Sequence, residues 1–279
     1  AHPPPGPMTA PPASLRSLFA ALIAHRDLCW RLTQREVTQR FRGSLLGLAW
    51  AVLTPLLTAA VLTLVFTGVF PQRWPGRSGA PLDFALILLV GMAVHGLMAE
   101  ALSRAPTLIL GNPGYVTRVV FPLEILPVVT VLAASVNTLV TLGIVLLGNL
   151  LVNGSFHWTA LFLPVVLLPY LVMVAAAVAL LAALGVFIRD IALVIAPVLT
   201  LLMFLSPMFY PLEAVPEAWR FVIRANPMTP VIEQARTVLL FGGWPDVGSL
   251  ALYLALALAA LAAAHWVFQR LRPGFADVV

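Results

Sequence analysis

The 279-residue sequence contains no lysine; all sixteen of its basic residues are arginine. A Walker A loop depends on a lysine that reaches the nucleotide phosphates, and Schiff-base catalysis depends on a lysine amine. The chain by itself is therefore neither an ATPase nor a pyridoxal enzyme. Cysteine is almost as scarce. Cys29 stands alone, which excludes an internal disulfide and a cysteine-clustered metal site; it reads as a small apolar residue on a helix face. The five histidines, His2, His25, His95, His157 and His265, are scattered and form no HExxH pair. The eleven acidic residues include no D-x-D pair, so the metal-bound sugar-phosphate chemistry of a glycosyltransferase lacks its carboxylates. Charged residues make up only 10% of the chain, against about a quarter in soluble domains.

What the chain has instead is apolar length. It is 61% hydrophobic, with a mean hydropathy of +1.00, which places it in a bilayer. Most of its 24 prolines lie within or beside apolar runs, where neighbouring helices can satisfy the carbonyls that proline frees. The expected fold is an all-α integral membrane protein with six transmembrane helices, an N-terminal amphipathic interface helix and outer re-entrant helices.

Residues 1–13, "AHPPPGPMTAPPA", are too proline-rich to pack and are expected to be a disordered tail. Residues 14–43 are expected to lie along the membrane surface. Leu15, Leu18, Phe19, Leu22 and Ile23 share one helical face. After a break near His25 to Asp27, a second stripe runs through Cys29, Trp30, Thr33, Val37 and Phe41, with Arg31, Arg35 and Arg42 opposite. Apolar residues with tryptophan on one side and arginine on the other describe an interfacial helix.

The transmembrane domain is expected to fill residues 44–279. At about 20 apolar residues per crossing, the spans fall at Leu45 to Phe70, Phe84 to Leu102, Val119 to Val152, Thr159 to Ile188, Ile191 to Tyr210 and Val247 to Phe268. Pro55 should kink the first, and Asn153-Gly154-Ser155 should turn the chain after the third. With the N-terminus cytoplasmic, eleven of the sixteen arginines fall on the inner side and five on the outer. That asymmetry places both termini inside. The inner connection 103–118 is structured and expected to make few contacts with the spans. The outer segment 211–245, apolar and charged residues alternating between prolines, reads as two short helices that dip into the membrane and return.

An ion-coupled secondary transporter would carry carboxylates or histidines at depth as coupling groups. Here only His95 and Asn137 are notable polar groups there; Glu100 and Glu124 lie near the inner boundary, and no two-fold repeat is visible. What remains is a transport subunit driven by a separate engine.

Three blocks carry a resemblance. "LTQREVTQRFRGSLLGLAWAVLTPLL" has an Arg-Glu pair, a basic-aromatic-basic run, Ser-x-Leu-Gly-x-x-Trp and a proline. "VVFPLEILPV" begins the third span. "GVFIRDIALVIAPVLTLLMFLSPMFYP" and the later "NPMTP" cover the fifth span and the outer segment. In this order, over nearly the whole chain, they resemble the ABC-2 type exporter permeases that move polysaccharides. The resemblance implies a homodimer bound to two ATP-hydrolysing subunits, located in the inner membrane. ATP and Mg would sit on the partner, with no cofactor in this chain. The substrate would be a lipid-linked polysaccharide such as O-antigen, capsule or teichoic acid, and no nucleic acid is involved. Export of drugs or lipids by the same class is the alternative. By match, Arg35, Glu36, Arg40 and Arg42 belong to the interface helix that couples to the ATPase, and Leu108, Asn112, Tyr115 and Arg118 to the coupling loop. Trp50, Phe66, Phe70, Phe204, Phe209 and Tyr210, on the first and fifth spans, are candidates to line the polysaccharide path. Pro216, Trp219, Asn226 and Pro227 fall in the outer gate.

The purified chain is expected to hydrolyse no ATP until an ATP-hydrolysing partner is added. Phosphate release by a verified partner-free preparation would contradict this.

Overall fold

In the computed structural model, described over residues 14–43, 46–65, 68, 74, 81–117, 121–154 and 156–278, every regular element is a helix. The tail 1–13 lies outside the described residues. Two helices come first, α1 (Leu15–Ala24) and α2 (Arg26–Phe41). Ser14 and Ser17 cap the start of α1 reciprocally, supplying acceptors that the first turn otherwise lacks. His25 ends α1 and begins α2. There follow α3 (Trp50–Leu64), α4 (Pro81–Arg104), a 3-10 turn at Ala105–Thr107 and the short α5 (Pro113–Thr117). Next are α6 (Ile125–Asn153), α7 (Leu163–Gly185), α8 (Ile191–Phe204), α9 (Glu217–Ala225), α10 (Thr229–Leu239), α11 (Val247–Leu271) and the closing turn α12 (Phe275–Val278). Gly154, at φ 62°, ends α6 in the left-handed conformation and donates its N–H to Leu150 O. The expected turn is thus a glycine C-cap.

Among the described residues, four segments are long and apolar enough to cross a membrane: Pro81–Thr107, Ile125–Asn153, Trp158–Gly185 and Val247–Val278. The other two expected spans are shorter as helices. α3 has 15 residues and α8 has 14, about 21–23 Å at 1.5 Å per residue. Most of 66–73, including the end of the first expected span, lies outside the described residues. The fifth expected span is corrected: its helix stops at Phe204, well before Tyr210. Pro207 is the cause, since its ring would clash with the carbonyl of Met203 one turn back.

α4 is the central helix. Leu88, Val90, Val94 and Ala101 along it have no exposed surface. The hydroxyls of Thr138 on α6 and Tyr170 on α7 donate to Ala93 O and Val94 O of α4, at 3.3 and 2.7 Å. α11 packs along α7, and α10 fits against α4 and α7. α3 and α8 also touch α4, but most of their apolar surface faces outward: Leu57, Val61 and Leu64 on α3, and Leu193, Leu201 and Phe204 on α8.

The surface helices attach by narrower faces than the sequence suggests. α1 packs through Leu15, Leu18 and Leu22 against α7 and α11, while Phe19 and Ile23 of the expected stripe are exposed. On α2 the buried line is Cys29, Leu32 and Thr33, and Trp30 is 62% exposed. Trp30 therefore leaves the stripe and Leu32 replaces it, because α2 turns Glu36 and Arg40 toward the bundle. Burial pushes the Cys29 thiol above its ordinary pKa, which keeps it unreactive.

The connection 103–118 is packed more tightly than expected. Ala105, Pro106, Leu108 and Ile109 are buried. A Cβ on Gly185, at the end of α7, would lie 2.6 Å from Pro106 Cα and 2.8 Å from its carbonyl carbon. Two backbones touch here, and neither can yield as a side chain would. Gly185→Ala is expected to cost about 1–3 kcal/mol by overpacking, measured as a lower melting temperature of the solubilised protein; an unchanged melt would show that the turn moves freely.

Candidate functional site

The end of the bundle that carries α2 collects charge. Arg40 reaches from α2 to Glu100 on α4 and pairs with it through both guanidinium nitrogens, Nη1 lying 2.9 Å from Oε2. Asn137 of α6 donates to the same Glu100 Oε2 at 3.0 Å, so one carboxylate joins three helices. One turn away, Arg104 Nη1 lies 3.1 Å from Glu36 Oε2. Glu36 Oε2 makes no hydrogen bond, so this contact is an ion pair. A third pair closes the same end, Arg272 after α11 donating to Glu124 at 3.0 Å and to Phe121 O at 3.2 Å. The first two pairs edge an open cleft of about 450 Å³ between Glu36, Gln39, Arg40, Glu100, Arg104 and Asn137. It adjoins a second, of about 360 Å³, that climbs past Trp50, Thr54, Pro55 and Thr141. Each arginine in the first cleft is matched by a glutamate. The site is neutral as a whole and offers no free acid–base pair.

Of the residues expected to couple, Glu36 and Arg40 meet the bundle, whereas Arg35 and Arg42 are exposed. Leu108 is in the core. Asn112 donates to Leu108 O at 2.9 Å, and Tyr115 stacks on Phe121 with centroids 4.3 Å apart and planes 9° from parallel. Arg118 lies outside the described residues. Glu100, Arg104 and Asn137 were missed as partners. Their signal was available: "EVTQR" (Glu36–Arg40) and "EALSR" (Glu100–Arg104) are the same charge pattern twice.

The opposite end is organised around broken helices. Asn226, 5% exposed, donates its amide to Leu202 O and Leu205 O at 2.7 and 2.9 Å, and its Oδ1 accepts the Met228 N–H. It thus closes the end of α8 and starts α10. Pro227 O accepts from the Tyr253 hydroxyl of α11 at 2.9 Å. Pro216 and Trp219, the other expected gate residues, are exposed on or beside α9. Arg236 of α10 is the largest fully buried side chain. It donates to Pro207 O at 2.6 Å, to Met208 O at 3.0 Å, and to Ile87 O of α4 at 3.1 and 3.3 Å. The Trp74 ring lies 4.5 Å from the guanidinium carbon. Gly91 leaves the room this requires, since a Cβ there would stand 2.9 Å from Met208 Cγ and 3.3 Å from Arg236 Nη2.

The expected path aromatics separate. Trp50 and Phe204 are exposed at 45% and 59%, but Phe209 is only 8% exposed, so it is corrected to a core position. The turn after α8 rolls it inward. Tyr210 is half-buried, its hydroxyl donating to Phe204 O at 2.7 Å. Phe66 and Phe70 lie outside the described residues. His95 approaches Leu199 O of α8 at 3.4 Å, an interhelical contact. Among the described residues no three His, Cys, Asp or Glu side chains converge as a metal site.

The long apolar helices define a multi-pass membrane protein. Residues 27–240 match the ABC-2 type transporter family, and the chain belongs to that family. It is 28% identical over 264 residues to the O-antigen export system permease protein RfbA of Myxococcus xanthus, covering 94% of this chain and 99% of that one. Two proteins of the same name from Klebsiella pneumoniae are similar too: one at 22% over 259 residues, 91% of this chain and 95% of its own length, the other at 21% over 219 residues, 77% and 81%.

Arg236→Met should leave buried carbonyls of the Pro207–Met208 turn without donors, at about 1–3 kcal/mol each. Arg236→Lys should rescue little, because one ammonium cannot span the carbonyls that the planar fork reaches. Thermal melting of both variants checks this, and a wild-type melt for Arg236→Lys would show that charge alone suffices.

Proposed function

We propose that this chain is the transmembrane subunit of an ABC exporter that carries lipid-linked polysaccharide, O-antigen or a similar glycan, across the inner membrane. The observation that carries the reading is the end-to-end similarity to the Myxococcus xanthus permease, 99% of whose length is covered, together with the family match. The chain works as a homodimer with two nucleotide-binding subunits, which hold ATP and Mg. It crosses the membrane six times, with α3 and α8 completing the four longer spans and both termini cytoplasmic. α2 and the connection 103–118 face the ATPases, and α9 and α10 form the re-entrant region at the exit. The apolar outward faces of α3 and α8 support a second copy packing there, and Trp50 and Phe204 stand on those faces. Sugar rings can rest their CH faces on such aromatics without directional hydrogen bonds, which suits a chain that must slide.

Deleting the gene should abolish the surface polysaccharide and leave drug efflux unchanged; an intact surface glycan would refute the function. In the complemented strain, Trp50→Ala or Phe204→Ala alone should slow export, and the pair should slow it far more. Base–aromatic stacking is worth roughly 1–3 kcal/mol per ring and sugar contacts less. Export is normalised to the level of permease in the membrane. Wild-type export from the pair would mean that these rings pack against lipid or neighbouring helices.

A further inference from the structure

The patterns EVTQR at Glu36–Arg40 and EALSR at Glu100–Arg104 lie on different helices. Glu and Arg four residues apart on one helix face the same way and commonly pair with each other. Here each pairs across instead, Arg40 with Glu100 and Glu36 with Arg104. The two ladders run antiparallel: the lower number on α2 meets the higher number on α4. Arg40, Glu100 and Glu36 are partly buried, Glu36 the least exposed at 15%, so salt screens these three less than surface charges, while Arg104 is exposed at 45%.

This arrangement tolerates one register only. Sliding α2 along α4 by one turn, about 5.4 Å, brings Arg40 to Arg104 and leaves Glu36 facing Leu108. Sliding it the other way brings Glu36 to Glu100 and leaves Arg40 facing Gly96. Either slip replaces two attractive rungs by one repulsive rung and one empty one. The Asn137 amide holds the Glu100 carboxylate from a third helix, so the carboxylate cannot follow a sliding partner.

We propose that these crossed rungs are a register lock: α2 turns together with α4 and cannot slide along it, and Glu100 is the positioning residue that fixes the pair to α6. The lock is a property of this chain alone; only its use, passing a nucleotide-driven push into the bundle, rests on the exporter reading.

The test has two arms. In a Cys29→Ala background, spin labels at Gln39→Cys and at Leu82→Cys near the start of α4, both exposed and far enough apart along α4 that a slip changes their separation by its full length, report the α2–α4 register in the solubilised full-length protein. Arg40→Glu should move the label–label distance by about one helical turn, because the new carboxylate finds Arg104 only after a slip. Arg40→Glu with Glu100→Arg should restore the wild-type distance. In the second arm, the chain assembled with its ATPase should, as Arg40→Glu, export about fivefold less glycan per ATP hydrolysed, a coupling loss at the low end of those seen between sites. The double swap should recover export. An unchanged distance in Arg40→Glu, or a well-melting double swap that recovers neither distance nor export, overturns the lock. A wild-type chain that binds no ATPase would defeat the exporter reading, and the spin-label arm would still decide the lock.

Discussion

A carbonyl in hydrocarbon has no water to turn to, and each one left without a donor costs several kcal/mol. This chain interrupts its helices often, and the interruptions define its architecture, so the donors that answer them hold the fold together. Arg236 serves the Pro207–Met208 turn, Asn226 serves the last turn of α8, Tyr253 serves Pro227, and Thr159 donates to Val238 O at 2.8 Å. Each donor comes from an element other than the one it completes. The broken segments are therefore stable only when the bundle around them is assembled.

Charge follows the same economy. The two glutamate–arginine rungs and the Glu124–Arg272 pair lie at the α2 end. The one guanidinium drawn deep into the bundle at the other end, that of Arg236, is bonded to carbonyl oxygens at each nitrogen. A buried ion costs least when its hydrogen bonds are complete. The ion pairs at the α2 end fix how surface helices meet the bundle; Arg236, which also has Glu233 4.0 Å away, fixes a turn inside it.

The long spans were legible because hydropathy needs only composition and run length: α4, α6, α7 and α11 lie within a few residues of where the apolar runs place them. The two-faced α1 and the break at His25 were legible for a similar reason, since periodicity is local. Trp30 was misplaced because its helix has two candidate faces, and the choice between them depends on Glu36 and Arg40 finding partners sixty or more positions away. Orientation arithmetic counted Arg236 only as one of the five outer arginines. Its place on one helical face with Ile232 and Leu239 was the missed clue, although nothing local could have named the carbonyls it serves. The end of α8 shows both sides. Pro207 announces a break, but only the folded chain supplies Asn226 to close it.

The shortness of α8 has a consequence for the bilayer itself. Its 14 helical residues rise about 21 Å, against a hydrocarbon core of about 30 Å. Lipid beside a short apolar wall thins to match it, while the non-helical turn after Phe204 carries its own donors from Asn226 and Arg236 and needs none from water. On the six-span reading proposed above, any stretch of this helix that meets lipid sits in a dimple, and the greasy distance is shortest where the exposed Phe204 ring marks the rim.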